Sequence, residues 1–159
     1  MVLETITMAD VVCHETAAQI LARKGSQVWT IGPEASVYEA IELMDERGAG
    51  ALLVLSGGRL VGMISERDYA RKVILKGRSS RDTRVSEIMS TPATTVTPDD
   101  RAIDCLRLMT ERRIRHLPVL DNGELAGVLS IGDLVNAVLS AQAAEMRSLK
   151  SYVAGHYPA

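Results

Sequence analysis

The chain contains no phenylalanine, one tryptophan (Trp29) and four tyrosines among 159 residues. An aromatic core is therefore excluded, and the interior has to be built from Leu, Ile, Val, Ala and Met. Aromatic stacking platforms of the kind that hold single-stranded nucleic acid are correspondingly scarce. Cysteine is equally sparse: Cys13 and Cys105 lie far apart, with no C-x-x-C and no histidine pair at zinc spacing. Neither a disulfide framework nor a structural metal is implied, and a reducing cytoplasmic setting is the expectation. No apolar run approaches the ~20 residues a membrane span needs, and no charged-then-apolar leader opens the sequence, so no membrane role is expected. There is no excess of positive charge either. The formal net charge is −2, which argues against DNA binding, because sequence-independent affinity for phosphate backbones needs clustered cations. The cations present are 14 Arg against 4 Lys, and Arg favours bidentate recognition of phosphate or carboxylate.

The sequence does contain a repeat. A shift of 65 residues brings the two halves into ungapped register from about residue 28 to 75. Thr30 then matches Thr95, Pro33 matches Pro98, Met44 matches Met109, Leu52 matches Leu117, Gly62 matches Gly127, Ser65 matches Ser130 and Asp68 matches Asp133. Each copy reads as a short β-branched strand closed by proline, then a helix with apolar residues at helical spacing (Val37, Ile41, Met44; Ala102, Leu106, Met109). Ser36 is the expected N-cap of the first of these helices. A strand, a turn (Ser56-Gly57-Gly58 or Asp121-Asn122-Gly123), a second strand and a second helix complete the β-α-β-β-α unit. Around the repeats, Ala17–Arg23 and Val85–Met89 read as short helices, and Asp133 to about Val153 as one long helix. The expected organisation is an N-terminal helical segment (1–25), repeat 1 (26–76), a linker (77–91), repeat 2 (92–142) and a C-terminal helix and tail (143–159). A unit this small with one apolar sheet face buries too little alone, so two units packed together are expected.

Each repeat ends in G-h-h-S-x-x-D, with h apolar, at a strand-to-helix junction: G-M-I-S-E-R-D and G-V-L-S-I-G-D. A serine followed by an acid three residues on is a capping box, so capping alone accounts for one copy. Two copies in register, each with the upstream Thr and Pro and the intervening hairpin, resemble a tandem pair of CBS domains (named after cystathionine β-synthase), a Bateman module, over about residues 25 to 142. The likeness extends to small stand-alone bacterial CBS-pair proteins. The resemblance implies an α+β fold of two repeats related by pseudo-two-fold symmetry, flanked by an N-terminal helix and an extended C-terminal helix. It implies a regulatory, non-enzymatic function: binding of AMP, ADP, ATP, NAD(H) or S-adenosylmethionine between the halves, with no catalytic cofactor, and signalling to an effector protein. It also implies a homodimer, or two such dimers joined as a dimer of dimers.

On this resemblance Asp68 and Asp133 take the place of the ribose-binding aspartate, whose carboxylate accepts both vicinal hydroxyls. Ser65 and Ser130 offer a hydroxyl at the helix N-terminus. Thr30 and Ile31 with Ala51 and Leu52, and Thr95 and Val96 with Leu117 and Pro118, correspond to the backbone that frames adenine. Arg115 and His116, joined by Arg67, are expected to serve a phosphate held near Ser65 and Asp68, making the first cleft the better anion site. Gly132 leaves the second with room but no charge. His14 and His156 carry no argument. Two other readings stay open: a dimeric protein-interaction module with vestigial clefts, working through its C-terminal helix, and RNA binding, which the charge balance disfavours. Nothing in the sequence resembles a nucleophile elbow, a P-loop, a Rossmann glycine fingerprint or a metal cluster.

Overall fold

A computed structural model describes residues 11–155; His156 and both extreme ends lie outside the described residues. The chain runs α1 (Ala17–Lys24), β1 (Thr30–Ile31), α2 (Val37–Arg47), β2 (Ala51–Ser56), β3 (Arg59–Ser65), α3 (Glu66–Tyr69) continued by a π-helical turn (Ala70–Ile74), α4 (Val85–Ile88), α5 (Ala102–Arg112), β4 (His116–Asp121), β5 (Glu124–Ser130) and α6 (Ile131–Val153). The expected β-α-β-β-α order is present in repeat 1, and the helices and hairpin recur in repeat 2.

Of the described residues, Ser26–Thr95 and Pro118–Val128 form one compact unit, carrying repeat 1. Those up to Gly25, Val96–Leu117 and those from Leu129 onward form the other, carrying the helices and strand ends of repeat 2. In the repeat-1 unit, β1 pairs parallel with β2 and β2 antiparallel with β3. Val37, Ala40 and Met44 from α2 bury against Leu52, Val54 and Ile64 of the sheet, with Val73, Val85 and Ile88 closing the cluster. Buried positions in the repeat-2 unit follow in the same register: Ala102, Cys105, Met109, Leu117 and Leu129. Both hairpins turn on two residues with positive φ, Gly57-Gly58 (57° and 78°) and Asn122-Gly123 (50° and 83°). That is the geometry whose twist matches the flanking strands.

The helices flanking the repeats dock in a way their order in the chain conceals. α4 follows repeat 1 and stays with it: Val85 N–H donates to Ala35 O (2.8 Å), Ser86 N–H to Pro33 O (2.9 Å) and Val37 N–H to Thr83 O (2.8 Å). α1 precedes repeat 1 but makes the same three bonds with repeat 2: Ala17 N–H to Asp100 O (2.8 Å), Ala18 N–H to Pro98 O (2.9 Å) and Ala102 N–H to Glu15 O (2.8 Å). The acceptors Ala35 and Pro33 are the register partners of Asp100 and Pro98. Each repeat therefore has its first long helix started by an extended segment and a short helix from outside the repeat. Ala17 (0% exposed) and Ile20 (1%) are consequently core residues of the repeat-2 unit.

The first strand is where the repeats part. In repeat 1 it is only two residues long, and Leu53 N–H donates to Trp29 O at 3.0 Å beside it. In repeat 2 the same place is reduced to a single bridge residue, Val96, with no strand at Thr95, and among the described residues the second sheet contains β4 and β5. The register partner of Leu53 is Pro118, which has no N–H to give the ladder.

Candidate functional site

The two motifs build nearly identical corners. At the end of β3, Ser65 holds extended dihedrals (φ −127°, ψ 164°) and caps α3. Asp68 N–H donates to Ser65 Oγ (3.2 Å), while Asp68 Oδ2 accepts from Ser65 N–H (2.9 Å) and Ser65 Oγ (3.0 Å). Glu66 N–H donates to Gly50 O (3.0 Å), which fixes the helix start against the beginning of β2. The β2–β3 register sets Ala51 opposite Ser65 and Leu52 opposite Ile64. β1 then brings Thr30 opposite Leu53 and Ile31 opposite Val54. Thr30, Ile31, Ala51, Leu52, Ser65 and Asp68 thus belong to one sheet and the helix that leaves it. Leu52 is buried, whereas Thr30 and Arg67 are exposed.

The second Asp68 oxygen, Oδ1, faces Lys72 Nζ at 3.0 Å and Ser90 Oγ at 3.5 Å. The π turn is closed by Leu75 N–H to Ala70 O (3.1 Å), and Lys72 within it also donates to Ile88 O (2.8 Å). Ser90 arrives because residues 89–91 run along β3, with Met63 and Ser90 exchanging backbone bonds at 3.0 and 2.8 Å. Gly62 permits this approach, since a Cβ there would meet Ser90 O at 2.8 Å and Met89 Sδ at 2.9 Å.

At the end of β5, Ser130 (φ −94°, ψ 162°) caps α6 in the same way. Asp133 N–H donates to Ser130 Oγ (3.2 Å), and Asp133 Oδ2 accepts from Ser130 N–H (2.8 Å). Ile131 N–H donates to Arg115 O (2.9 Å), the counterpart of Glu66 and Gly50. Sequence reasoning gave this corner no cation; the fold supplies one, because Lys24 at the end of α1 reaches Asp133 Oδ2 at 2.5 Å. Burial opposes ionisation of Asp133, but the Lys24 ammonium and the Ser130 N–H and hydroxyl outweigh it and hold the carboxyl below its ordinary range. His116 shares this environment. Burial pushes its pKa down, Lys24 and Arg115 push the same way, and Asp133 opposes them, leaving the imidazole more easily neutral than usual. Arg115 is exposed, and Leu117 and Val96 are buried in the same unit; Thr95 and Pro118 fall in the repeat-1 unit.

Each corner is thus a serine-capped helix start with a carboxylate partly shielded from water and a lysine on it. Lys72, Ser90 and Lys24 were not picked out as site residues by sequence. Lys72 had a visible signal, standing four residues after Asp68, but the same spacing describes any surface pair. Ser90 and Lys24 arrive from other segments and have no local signal. Trp29, the single indole, is covered by Arg47, whose guanidinium carbon lies 4.5 Å from the ring centroid. Among the described residues, no group of His, Cys, Asp or Glu is placed to hold a metal ion, and no helix is long and apolar enough to cross a membrane.

The CBS domain model matches the chain twice, over residues 17–74 and 85–140. The chain belongs to the CBS domain family. It is 38% identical over 159 residues to the mitochondrial CBS domain-containing protein CBSX3 of Arabidopsis thaliana, covering 97% of this chain and 75% of that protein. A solved structure of a signal-transduction protein with CBS domains from Burkholderia ambifaria, itself described as putative, is 51% identical, with a TM-score of 0.77 over 79% of this chain and 95% of its own. The CBS domain pair of protein MJ0100, solved with 5′-methylthioadenosine and S-adenosyl-L-methionine, shares the fold at 22% identity and a TM-score of 0.68, covering 77% of this chain and 94% of its own. CBS pairs are regulatory modules, and the two matches make this chain a tandem pair.

Proposed function

We propose that the CBS pair binds an adenosine-containing metabolite (AMP, ADP, ATP, NAD(H) or S-adenosylmethionine) at its Ser-x-x-Asp corners and passes its occupancy to an effector protein, without catalysing a reaction. The observation that carries this reading is the duplication of the corner down to its charge balance. Two serine-capped aspartates each hold a lysine, and the lysines come from unrelated places, Lys72 from the helix just begun and Lys24 from α1. Capping alone requires no lysine. A carboxylate with one oxygen committed to the cap still accepts ribose hydroxyls on its free lone pairs. A lysine beside it serves a phosphate, or the carboxylate of an amino-acid moiety, at the positive end of a helix. MJ0100, a relative by fold, is described with adenosine derivatives bound, which agrees in ligand class.

The ligand biases the protein only by its differential affinity for alternative arrangements. The test is a thermal-shift series of ligand-stripped protein against the five compounds and against guanosine and cytidine controls. A ligand that binds only the folded protein raises the melting temperature as RT ln(1 + [L]/Kd) dictates. A rise with adenosine compounds that Asp68→Asn or Asp133→Asn removes supports the reading. No rise at millimolar concentration with any of them rejects it.

A further inference from the structure

The two corners differ in what their carboxylates leave uncommitted. Asp68 Oδ1 faces Lys72 Nζ and Ser90 Oγ, and Lys72 is also tied to Ile88 O. Asp133 takes the Ser130 N–H and Lys24 on one oxygen, Oδ2, while its Oδ1 makes no hydrogen bond or ion pair to the other described residues. Ribose hydroxyls therefore find an open acceptor at Asp133, whereas at Asp68 they have to displace a lysine from Oδ1. His116 stands in the Asp133 corner. It opens β4, and Ile131 N–H donating to Arg115 O (2.9 Å) holds that strand start against the first turn of α6, which carries Asp133. Lys24, Arg115, His116 and Asp133 all lie in the repeat-2 unit. The ring is half-buried and makes no hydrogen bond to the other described residues. A histidine kept for structure alone is normally fixed by a partner on a ring nitrogen.

The charged groups acting on the imidazole are Lys24 from α1, Asp133 from α6 and Arg115 from its own strand, two cations against one carboxylate. Burial and both cations oppose protonation of the ring, so it is neutral near pH 7. The arrival of an anion beside Lys24 reverses that balance. A phosphate there offsets the two cations and accepts a charge-assisted hydrogen bond from the imidazolium, so the ring takes a proton from solvent as the anion docks. An uncharged ligand gives the ring no such reason to change. We infer that the Asp133 corner is a proton-coupled anion site: it takes an adenosine compound that carries phosphate, and His116 gains a proton when that compound binds. On the proposal that the corners hold adenosine compounds, which this coupling presupposes, the phosphate is assigned to one corner and acidity becomes a control of its affinity. The expectation from sequence placed the phosphate near Ser65 and Asp68 instead, because nothing in the sequence brings Lys24 to Asp133. With the proton bound in the complex and absent from the free protein, affinity rises as pH falls through the range between the two His116 pKa values.

Isothermal titration of the ligand-stripped full chain with NAD tests the coupling, because the NAD diphosphate keeps its charge between pH 6.0 and 7.5, whereas the AMP phosphate does not. 5′-Methylthioadenosine, which has no phosphate, is the uncharged control. NAD is expected to bind about three- to tenfold tighter at pH 6.0 than at pH 7.5, and methylthioadenosine equally at both. At pH 6.5 the NAD binding enthalpy should differ between PIPES and imidazole buffers by the ionisation heat of the protons taken up. His116→Gln should remove that difference together with the pH dependence. NMR gives a second readout: the His116 ring should titrate at higher pH in the NAD complex than in the free chain, and at the same pH with methylthioadenosine as without. NAD binding that is equal at both pH values, that leaves the His116 titration unmoved, or that keeps its pH dependence in His116→Gln overturns the coupling and leaves the adenosine reading standing. Binding of methylthioadenosine without NAD does the same. Binding of neither compound overturns both.

Discussion

Single side chains decide the chemistry of the two corners, and the clearest case is the trio of Lys24, His116 and Asp133. Folding depresses the His116 pKa below its ordinary 6.5. The unfolded chain then binds more protons than the native one as pH falls from 6.5 towards the native value. Stability is therefore full above about pH 6.5 and declines below it, by at most about 1.4 kcal/mol per pH unit from this group. Asp133, also depressed, adds a further loss as pH falls below the ordinary carboxylate range and through its native value. Urea midpoints at pH 7.5 and 5.5 should show the first decline, and His116→Gln should flatten it. Lys24→Met should bring the His116 pKa part of the way back towards 6.5 in an NMR titration, because burial remains while one repelling cation is gone; an unchanged value would separate Lys24 from this cluster. Glycines give a second contrast at this scale. Gly62→Ala drives a methyl into Ser90 O and should cost about 1–3 kcal/mol in chemical denaturation. Gly132→Ala, inside α6 with nothing closer than 3.6 Å, should stabilise by up to ~1 kcal/mol. The pairing of Ser65 with Asp68 was legible because a capping box is written in four consecutive residues. Lys24 on Asp133 was not, because the partners are separated by 109 positions and only tertiary docking joins them.

At the scale of elements, periodicity carried most of the information. α2, α5 and both hairpins lie where apolar spacing and the Gly-Gly and Asn-Gly turns put them. The C-terminal helix ends at Val153 as expected and begins at Ile131, two residues before Asp133, because Ser130 supplies the cap. Two features escaped. The expected strand at Thr95 and Val96 shrinks to one bridge residue, Val96, beside a segment in which Pro118 lacks the N–H that Leu53 provides in repeat 1. The helix after Ser65 widens into a π turn after one turn, a choice of hydrogen-bond register that side-chain periodicity does not report. Leu53→Pro removes the N–H that Trp29 O accepts, so it should detach β1 and lower the urea midpoint. The docking of α1 is equally testable. Ile20 is 1% exposed, so Ile20→Ala should cost about 2–5 kcal/mol even though α1 lies far from α5 in the chain, and the loss should appear as faster hydrogen exchange at Ala102 and its neighbours in α5.

The molecule as a whole is one motif written twice and then differentiated. The 65-residue register carries burial from one repeat to the other, and the named apolar positions Val37 and Met44 and their partners Ala102 and Met109 are buried, but Ile41 and Leu106 are only half-buried while Ala40 and Cys105 are buried in their stead. It did not predict that the segment ahead of repeat 1 serves repeat 2, because backbone hydrogen bonds carry no side-chain signature. The central claim, an adenosine-binding regulatory pair, is tested most directly by calorimetric titration of the ligand-stripped protein with AMP, ATP, NAD and S-adenosylmethionine, alongside Asp68→Asn and Asp133→Asn. Asparagine keeps an oxygen for the serine cap while removing the charge, so the helices stay formed. The account predicts saturable binding of at least one adenosine compound at millimolar Kd or tighter, abolished or weakened at least tenfold by one of the two substitutions. Binding that neither substitution alters, or no heat with any of the four compounds, would contradict it.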